Sequence, residues 1–288
     1  MNRRPEWLKV RIPGGEDYIN VRRILRTHKL NTVCEEARCP NMGECWQNGV
    51  ATFMILGDIC TRGCRYCAVR KGTPLSLDEE EPFRVAEAVS RMGLRHAVIT
   101  SVDRDDLADG GASVFAATVA ATRRRVPDCT IEVLIPDFQG SSSALEVVLE
   151  AGPEILNHNV ETVPRLYPSA RGGGDYDVSL QLLERSRSIA PHIVTKTGIM
   201  LGLGETDEET LAVLRDLVAA GVSILTIGQY LRPSGWHLPV DRYYHPDEFK
   251  AWKVSGEKLG FAHVEAGPLV RSSYLADRQF ESLKRSDL

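Results

Sequence analysis

The chain has 288 residues, 43% of them hydrophobic and 26% charged, with a formal net charge of -4. That mix gives an ordinary globular chain with enough apolar material for one large domain or two small ones. A net negative charge argues against binding nucleic acid through bulk electrostatics.

The basic run RRILRTHK (22–29) reads as a solvated helix face as readily as a binding patch. Seven cysteines are an odd number, and six of them fall between positions 34 and 67, unlike the evenly spread set of a secreted disulfide framework. No apolar run approaches ~18 residues, so no membrane span is expected. The start, MNRRPEWLKVRIPGG, is basic but lacks the apolar stretch of a secretory signal. A reducing cytoplasm is the expected location.

Residues 1–51 lack regular alternation and read as an N-terminal extension. From residue 52 short apolar runs alternate with amphipathic stretches. TFMILG (52–57) predicts a strand and PFRVAEAVSRMG (82–93) a helix, with Pro82 near its start and Gly93 past its end. HAVITS (96–101) precedes SVFAATVAATRRRV (113–126), whose closing arginines suit a helix C-terminus. TIEVLI (130–135) and SSALEVVLEAG (142–152), then ILNHNV (155–160) and VSLQLLERSRSIA (178–190), repeat the unit. IVTKTGIML (193–201) and DEETLAVLRDLVAAG (207–221), then ILTIGQY (224–230) and PDEFKAWKVSGEKLG (246–260), complete it. The strand candidates are β-branched and nearly continuous in apolar character, as strands buried on both faces are.

Six strand–helix units predict an α/β fold with a parallel sheet. Six fall short of an eightfold barrel, so the expected architecture is a partial, three-quarter β/α barrel over 52–260. Extensions at 1–51 and 261–288 flank it. A doubly wound sheet is the alternative. In either fold, chemistry gathers at the carboxyl ends of the strands.

CTRGCRYC (60–67) follows the first strand candidate directly and carries Cys60, Cys64 and Cys67. Three thiols cannot pair off, and a closed structural zinc site needs four ligands. Gly63 lets the loop turn tightly. Soft thiolates suit zinc, copper(I) or iron–sulfur, and a four-iron cluster on three cysteines leaves one iron open to a small molecule. The competing reading is zinc with a distant fourth ligand such as His96 or His158. A second group, CEEARCPNMGEC (34–45), offers Cys34, Cys39 and Cys45 and again lacks a fourth ligand. Cys129, before a strand, reads as a buried, inert thiol.

C-x3-C-x2-C with Tyr66 before the last cysteine, after the first strand of an α/β barrel, resembles the radical S-adenosylmethionine superfamily. Together with C-x4-C-x5-C and Arg271-Ser272-Ser273-Tyr274 it resembles the lipoyl synthase family. WLKVRIP (7–13), DRDDLADGG (103–111), HNVETV (158–163), TKTGIMLGLGET (195–206) and GQYLRPS (228–234) look like that family's blocks in its order.

The resemblance implies two 4Fe-4S clusters. One is held by Cys60, Cys64 and Cys67. The other is held by Cys34, Cys39, Cys45 and a serine of RSSY, taken as Ser272. S-adenosylmethionine is the implied cofactor, and the implied reaction inserts two sulfur atoms into a protein-bound octanoyl chain. Implied partners are octanoylated lipoyl-carrier domains, namely the E2 subunits of 2-oxoacid dehydrogenases and the glycine cleavage H protein. An electron donor such as ferredoxin or flavodoxin is also implied; nucleic acid and membrane are not.

Asp109, Gly110 and Gly111 are expected to contact the methionine amino group, although two glycines there also serve simply to turn the chain. Glu161, at a strand's carboxyl end, is expected to accept the ribose hydroxyls, with a structural salt bridge as the competing role. Arg171 is expected to pair with the methionine carboxylate. The glycines of GIMLGLGET (198–206) allow close approach to an adenine, but no Lys-Ser/Thr follows to make a phosphate loop. His158, on a buried strand, reads as a hydrogen-bonded core histidine. A biotin-synthase-like enzyme is the rival within the class, and Cys34–Cys45 argues against it. A colourless, zinc-stabilised binding protein is the rival outside it.

Overall fold

The computed structural model describes residues 5–10, 14–47 and 50–286. The first four residues of the basic start and residues 11–13 of WLKVRIP lie outside them.

The N-terminal segment holds α1 (Glu16–Thr27), β1 (Asn31–Thr32), α2 (Val33–Glu36) and α3 (Met42–Gln47). Arg22, Arg23 and Arg26 lie on the exposed face of α1, while Val21, Ile24 and Leu25 are buried. The basic run is therefore a solvated helix face. Thr32 caps α2 by accepting the Glu35 N–H at 3.3 Å.

Then follow β2 (Thr52–Ile55), β3 (Ile59–Cys60), β4 (Arg70–Lys71), α4 (Glu81–Met92), β5 (His96–Ser101), α5 (Ala112–Arg125) and β6 (Thr130–Leu134). Next come α6 (Ser142–Glu150), β7 (Ile155–Asn157), α7 (Tyr167–Ala170), α8 (Tyr176–Ile189), β8 (Val194–Leu201) and α9 (Asp207–Ala219). β9 (Ile224–Gln229), α10 (Pro246–Leu259), β10 (His263–Gly267) and α11 (Ala276–Ser286) end the chain. The helix signals act as expected: Pro82 sits in the first turn of α4 and Gly93 closes it in the left-handed region, φ 63°.

The main sheet runs β1-β2-β5-β6-β7-β8-β9-β10, with β1 antiparallel to β2 and the other neighbours parallel. The order follows the chain without reversal and, among the described residues, the ends do not pair. This is an open, partial barrel, and the doubly wound alternative, which requires a reversal of strand order, does not hold.

The sheet reaches beyond 52–260 at both ends. β1 is only two residues long, and β10 reads HVEAG with Val264 alone fully buried, so neither shows the continuous apolar run that marks the other strands. Among the described residues no helix is long and apolar enough to cross a membrane.

The strand interiors hide one charged cluster that the apolar runs gave no warning of. Glu132 on β6 and Lys196 on β8 are both 0% exposed and pair at 2.9 Å. His96 Nε2 lies 3.4 Å from the same carboxylate, and Asn157 donates to it at 2.9 Å. Burial alone would raise the Glu132 carboxyl, but the Lys196 ammonium and His96 hold it down, at about 2.

Removing one partner of such a pair leaves an uncompensated buried charge. Lys196→Met is therefore expected to destabilise the fold by about 3–5 kcal/mol in denaturant unfolding. Glu132→Leu combined with Lys196→Met should restore most of that loss. The depressed carboxyl contributes stability that is complete above the ordinary glutamate value of 4.5 and is lost as pH falls toward about 2. Unfolding midpoints that stay level across that acid range would show that the pair contributes nothing.

Candidate active site

A cavity of about 680 Å³ opens at the carboxyl ends of the strands. Cys60 beyond β2, Asp103 beyond β5, Pro136 beyond β6, Glu161 beyond β7, Met200 on β8 and Leu231 beyond β9 all line it. Both cysteine groups line the same space, as do Ser272 and Ser273. Residues far apart in sequence thus share one chamber.

The 60–67 loop is pinned on several sides. β3 and β4 pair at its neck, and Gly72 N donates to Cys60 O at 3.0 Å. Arg62, itself buried, is clamped by Asp105 at 2.8 Å and by Asp137 at 2.6 and 2.7 Å. Arg65 N donates to Ala170 O at 2.8 Å. Bidentate guanidinium–carboxylate contacts fix orientation as well as position, so Arg62 fastens the loop to the ends of β5 and β6. The acidic run in DRDDLADGG carried this signal, unread until the fold brought Asp105 to Arg62.

The second group is held between the two ends of the chain. Asn41 Nδ2 donates to Leu269 O at 2.7 Å, and the Tyr274 hydroxyl lies 3.3 Å from Glu44 Oε1. These contacts tie the 34–45 segment to the segment that carries RSSY, and Arg271 acts on the Cys39 thiol. Gly198 on β8 leaves room for Ser272 beside the strand. A Cβ there would fall 2.7 Å from Thr226 Oγ1, 2.8 Å from Asn159 Oδ1 and 3.0 Å from Ser272 Oγ.

All seven cysteines are free. Burial raises the six cavity thiols, Cys34 to about 11, Cys45, Cys60 and Cys67 to about 12, and Cys39 and Cys64 in the same direction. Thiols so buried become thiolates only with a cation beside them. The Trp46 indole lies beside Cys34 and acts against the burial that raises this thiol, favouring the thiolate.

Among the described residues no three His, Cys, Asp or Glu side chains converge on a single metal ion. His96 is taken up by Glu132, and His158 Nδ1 bonds Ile135 O at 2.9 Å. Burial and the neighbouring Arg171 push the His158 imidazole down to about 3, a neutral core histidine. Three soft thiolates on one loop suit a four-iron cluster that leaves one iron open. Cys129 is buried away from the cavity.

Glu161 and Arg171 both line the cavity. Glu161 holds φ 72°, an uncommon conformation for a residue with a Cβ, fixed by its N–H to Gly198 O and by Met200 N to its own carbonyl. Burial raises its carboxyl, with Arg171 nearby acting against the shift. Among the described residues it makes no ion pair within 4.0 Å, so the salt-bridge role has no partner.

Arg171 is 9% exposed and among the described residues bonds only neutral groups, including Asn159 O at 2.7 Å and Tyr167 Oη at 3.2 Å. Both charges face the chamber uncompensated by a direct ion pair.

Asn159 joins these groups, and sequence reasoning passed it over. Its Oδ1 accepts from Ser272 Oγ at 2.8 Å, its Nδ2 donates to Glu161 Oε1 at 3.2 Å, and its carbonyl takes Arg171. Asp109, Gly110 and Gly111 stand apart, since none of them lines the cavity. The Asp109 carboxylate accepts from Gly111 N and Ser113 N at 2.9 Å each, capping the start of α5, and the glycines take φ 60° and 91°. In this structure they turn the chain into α5.

A model of the Radical SAM superfamily matches residues 54–217, and one of the N-terminal domain of lipoyl synthase matches residues 1–39. A lipoyl synthase of Rubrobacter xylanophilus is 58% identical over 285 residues, 99% of this chain and 89% of that protein. The chain belongs to the lipoyl synthase family. Family members from Chloroflexus aggregans and Koribacter versatilis are 57% and 56% identical, over 95% and 98% of this chain and 90% and 93% of theirs.

Among solved structures, methylornithine synthase aligns with TM-score 0.53 at 14% identity, covering 81% of this chain and 79% of that one. Streptococcus suis SuiB bound to S-adenosylmethionine aligns with TM-score 0.55 at 10% identity, covering 91% and 58%. At such identity these two speak for the fold alone. It is the radical S-adenosylmethionine partial barrel.

Proposed function

We propose that this lipoyl synthase family member inserts two sulfur atoms at carbons 6 and 8 of an octanoyl chain carried on a protein lysine. The observation that supports it most directly is the shared chamber, into which two cysteine triads and the RSSY serines open together. When bound, a 4Fe-4S cluster with one open iron and S-adenosylmethionine supply a carbon-centred radical able to take an unactivated hydrogen, and a second cluster supplies sulfide.

The chain's own residues bind, orient and shield. Cys60, Cys64 and Cys67 are the ligands of the first cluster. Cys34, Cys39, Cys45 and Ser272 are those of the second. Arg171 receives the methionine carboxylate of S-adenosylmethionine and Glu161 its ribose hydroxyls. Asn159 orients both Glu161 and Ser272 through its two side-chain hydrogen bonds.

An aliphatic C–H bond offers no handle to an acid or base, so the protein's task is to keep water and stray hydrogen donors away. Met54, Ile135, Ile199 and Leu231 give the cavity apolar walls for the acyl chain. The setting is cytoplasmic, with a reductant such as ferredoxin or flavodoxin.

Anaerobic incubation of the iron-loaded protein with S-adenosylmethionine, a reductant and an octanoyl-lysyl peptide should give peptide carrying two added sulfur atoms by mass spectrometry. Cleavage of S-adenosylmethionine with no sulfur added would refute the reading. A colourless preparation without visible absorption would point to a zinc protein instead.

A further inference from the structure

We propose that the lip of the cavity built from Arg38, Arg65, Arg232 and Trp236 is the docking surface for the carrier domain, and that the partner presents an acidic face around its octanoylated lysine. The inference rests on the function proposed above and adds to it where, and by what chemistry, the substrate protein is held.

The mouth can be located from exposure. Of the described residues that line the cavity, only Val10 and Arg38 are exposed, so it opens on their side. Arg38 Nη1 lies 3.5 Å from Pro233 O, which sets the segment after β9 on the facing edge. That segment is held firmly to the 60–67 loop. Leu238 N donates to Arg65 O at 3.0 Å, His237 Nε2 lies 2.8 Å from Cys67 O, and the Tyr230 hydroxyl donates to Leu238 O at 2.8 Å.

At its crest sits Trp236, 63% exposed, whereas Trp7 is 38%, Trp252 8% and Trp46 0% exposed. An indole held out on a rigid lip contributes nothing to the core, and tryptophan is a preferred anchor at protein interfaces.

Three arginines stand on the lip. Arg38 and Arg65 are exposed, Arg232 is half-buried with its guanidinium donating to His237 O and Gly235 O, and among the described residues none of the three has a carboxylate within 4.0 Å. Elsewhere on the surface arginines are commonly paired, as Arg84 is with Asp78 and Arg165 with Glu209. Burial raises the Tyr230 phenol to about 12, with Arg232 and Arg65 acting against it, so both charges stand beside this lining residue. On a chain of net charge -4, three arginines without an ion pair among the described residues are the groups that would steer and orient an acidic partner.

An acyl-lysyl arm inside the chamber does not reach Trp236 or Arg65, neither of which lines it. Only the folded domain behind the arm can touch them. The structural bonds of Arg65 are made by its backbone, which leaves its side chain replaceable.

The test compares an octanoylated lipoyl-carrier domain with a short octanoyl-lysyl peptide, using the unmodified protein, Trp236→Ala, and Trp236→Ala with Arg65→Ser. Iron content is measured alongside to confirm that both variants are intact. For the carrier domain, KM is expected to rise at least ~10-fold in the double variant with kcat retained, while peptide turnover is unchanged. Added salt should raise the carrier KM of the unmodified protein and have less effect on the double variant. An unchanged carrier KM in Trp236→Ala and in the double variant, or an equal loss on the peptide, overturns the docking assignment. A carrier KM insensitive to salt and to Arg65→Ser overturns the acidic-partner part. If the unmodified protein adds sulfur to neither substrate, the functional reading fails first and the docking surface with it.

Discussion

Alanine at Cys60, Cys64 and Cys67 together is expected to remove about half of the iron and to abolish cleavage of S-adenosylmethionine, because the iron left open for the cofactor goes with that cluster. Alanine at Cys34, Cys39 and Cys45 should also remove about half of the iron, yet leave cleavage to 5′-deoxyadenosine detectable while sulfur insertion stops. The contrast follows from the geometry. The first triad stands on a loop clamped by Arg62, with Glu161 and Arg171 acting on its Cys64, whereas Arg271 of RSSY acts on Cys39 of the second. Ser272→Ala belongs with the second group and should keep cleavage. Loss of all cleavage in the Cys34–Cys39–Cys45 variant, folded and half loaded, would mean that the two triads do not divide the work this way.

Arg171→Leu is expected to weaken S-adenosylmethionine binding by about 2–5 kcal/mol, the cost of removing one partner from a buried, hydrogen-bonded charge pair. Among the described residues its guanidinium bonds only neutral groups, so the methionine carboxylate would supply a direct anionic partner. Glu161→Gln should cost less, about 1–3 kcal/mol, because it weakens hydrogen bonds to hydroxyls rather than removing an ion pair. Equilibrium binding to iron-loaded protein measures both. Thermal unfolding distinguishes them from a structural effect. Glu161 accepts one side-chain hydrogen bond, from Asn159, and makes no ion pair among the described residues, so its replacement should leave the unfolding temperature nearly unchanged. Unaltered binding together with a large drop in stability would return both residues to the architecture.

The sequence by itself determined what depends on local pattern. Strands buried on both faces must be apolar along their length, so the six continuous runs could be read directly, and their alternation with capped helices fixed the parallel sheet. Cysteine spacing is local as well, and CTRGCRYC announced a three-thiolate loop before any fold was known.

β10 escaped because HVEAG is short and has Val264 as its one fully buried residue, leaving no period to detect. Glu132 and Lys196 escaped because each is tolerable on a buried strand only when the other faces it from a different strand. No window of one strand contains that fact.

The tertiary structure decided the rest through contacts between distant segments. It placed Cys39, Cys45 and Ser272 on the wall of one cavity, set Asn159 between Ser272 and Glu161, and clamped Arg62 between Asp105 and Asp137. It also separated Asp109, Gly110 and Gly111 from the chamber, since a glycine pair that turns a chain into a helix and one that approaches a ligand look the same in sequence. Spacing along a chain fixes which groups can act together within one loop. Which loops meet depends on how the barrel curves, and that is set by the packing of every strand at once.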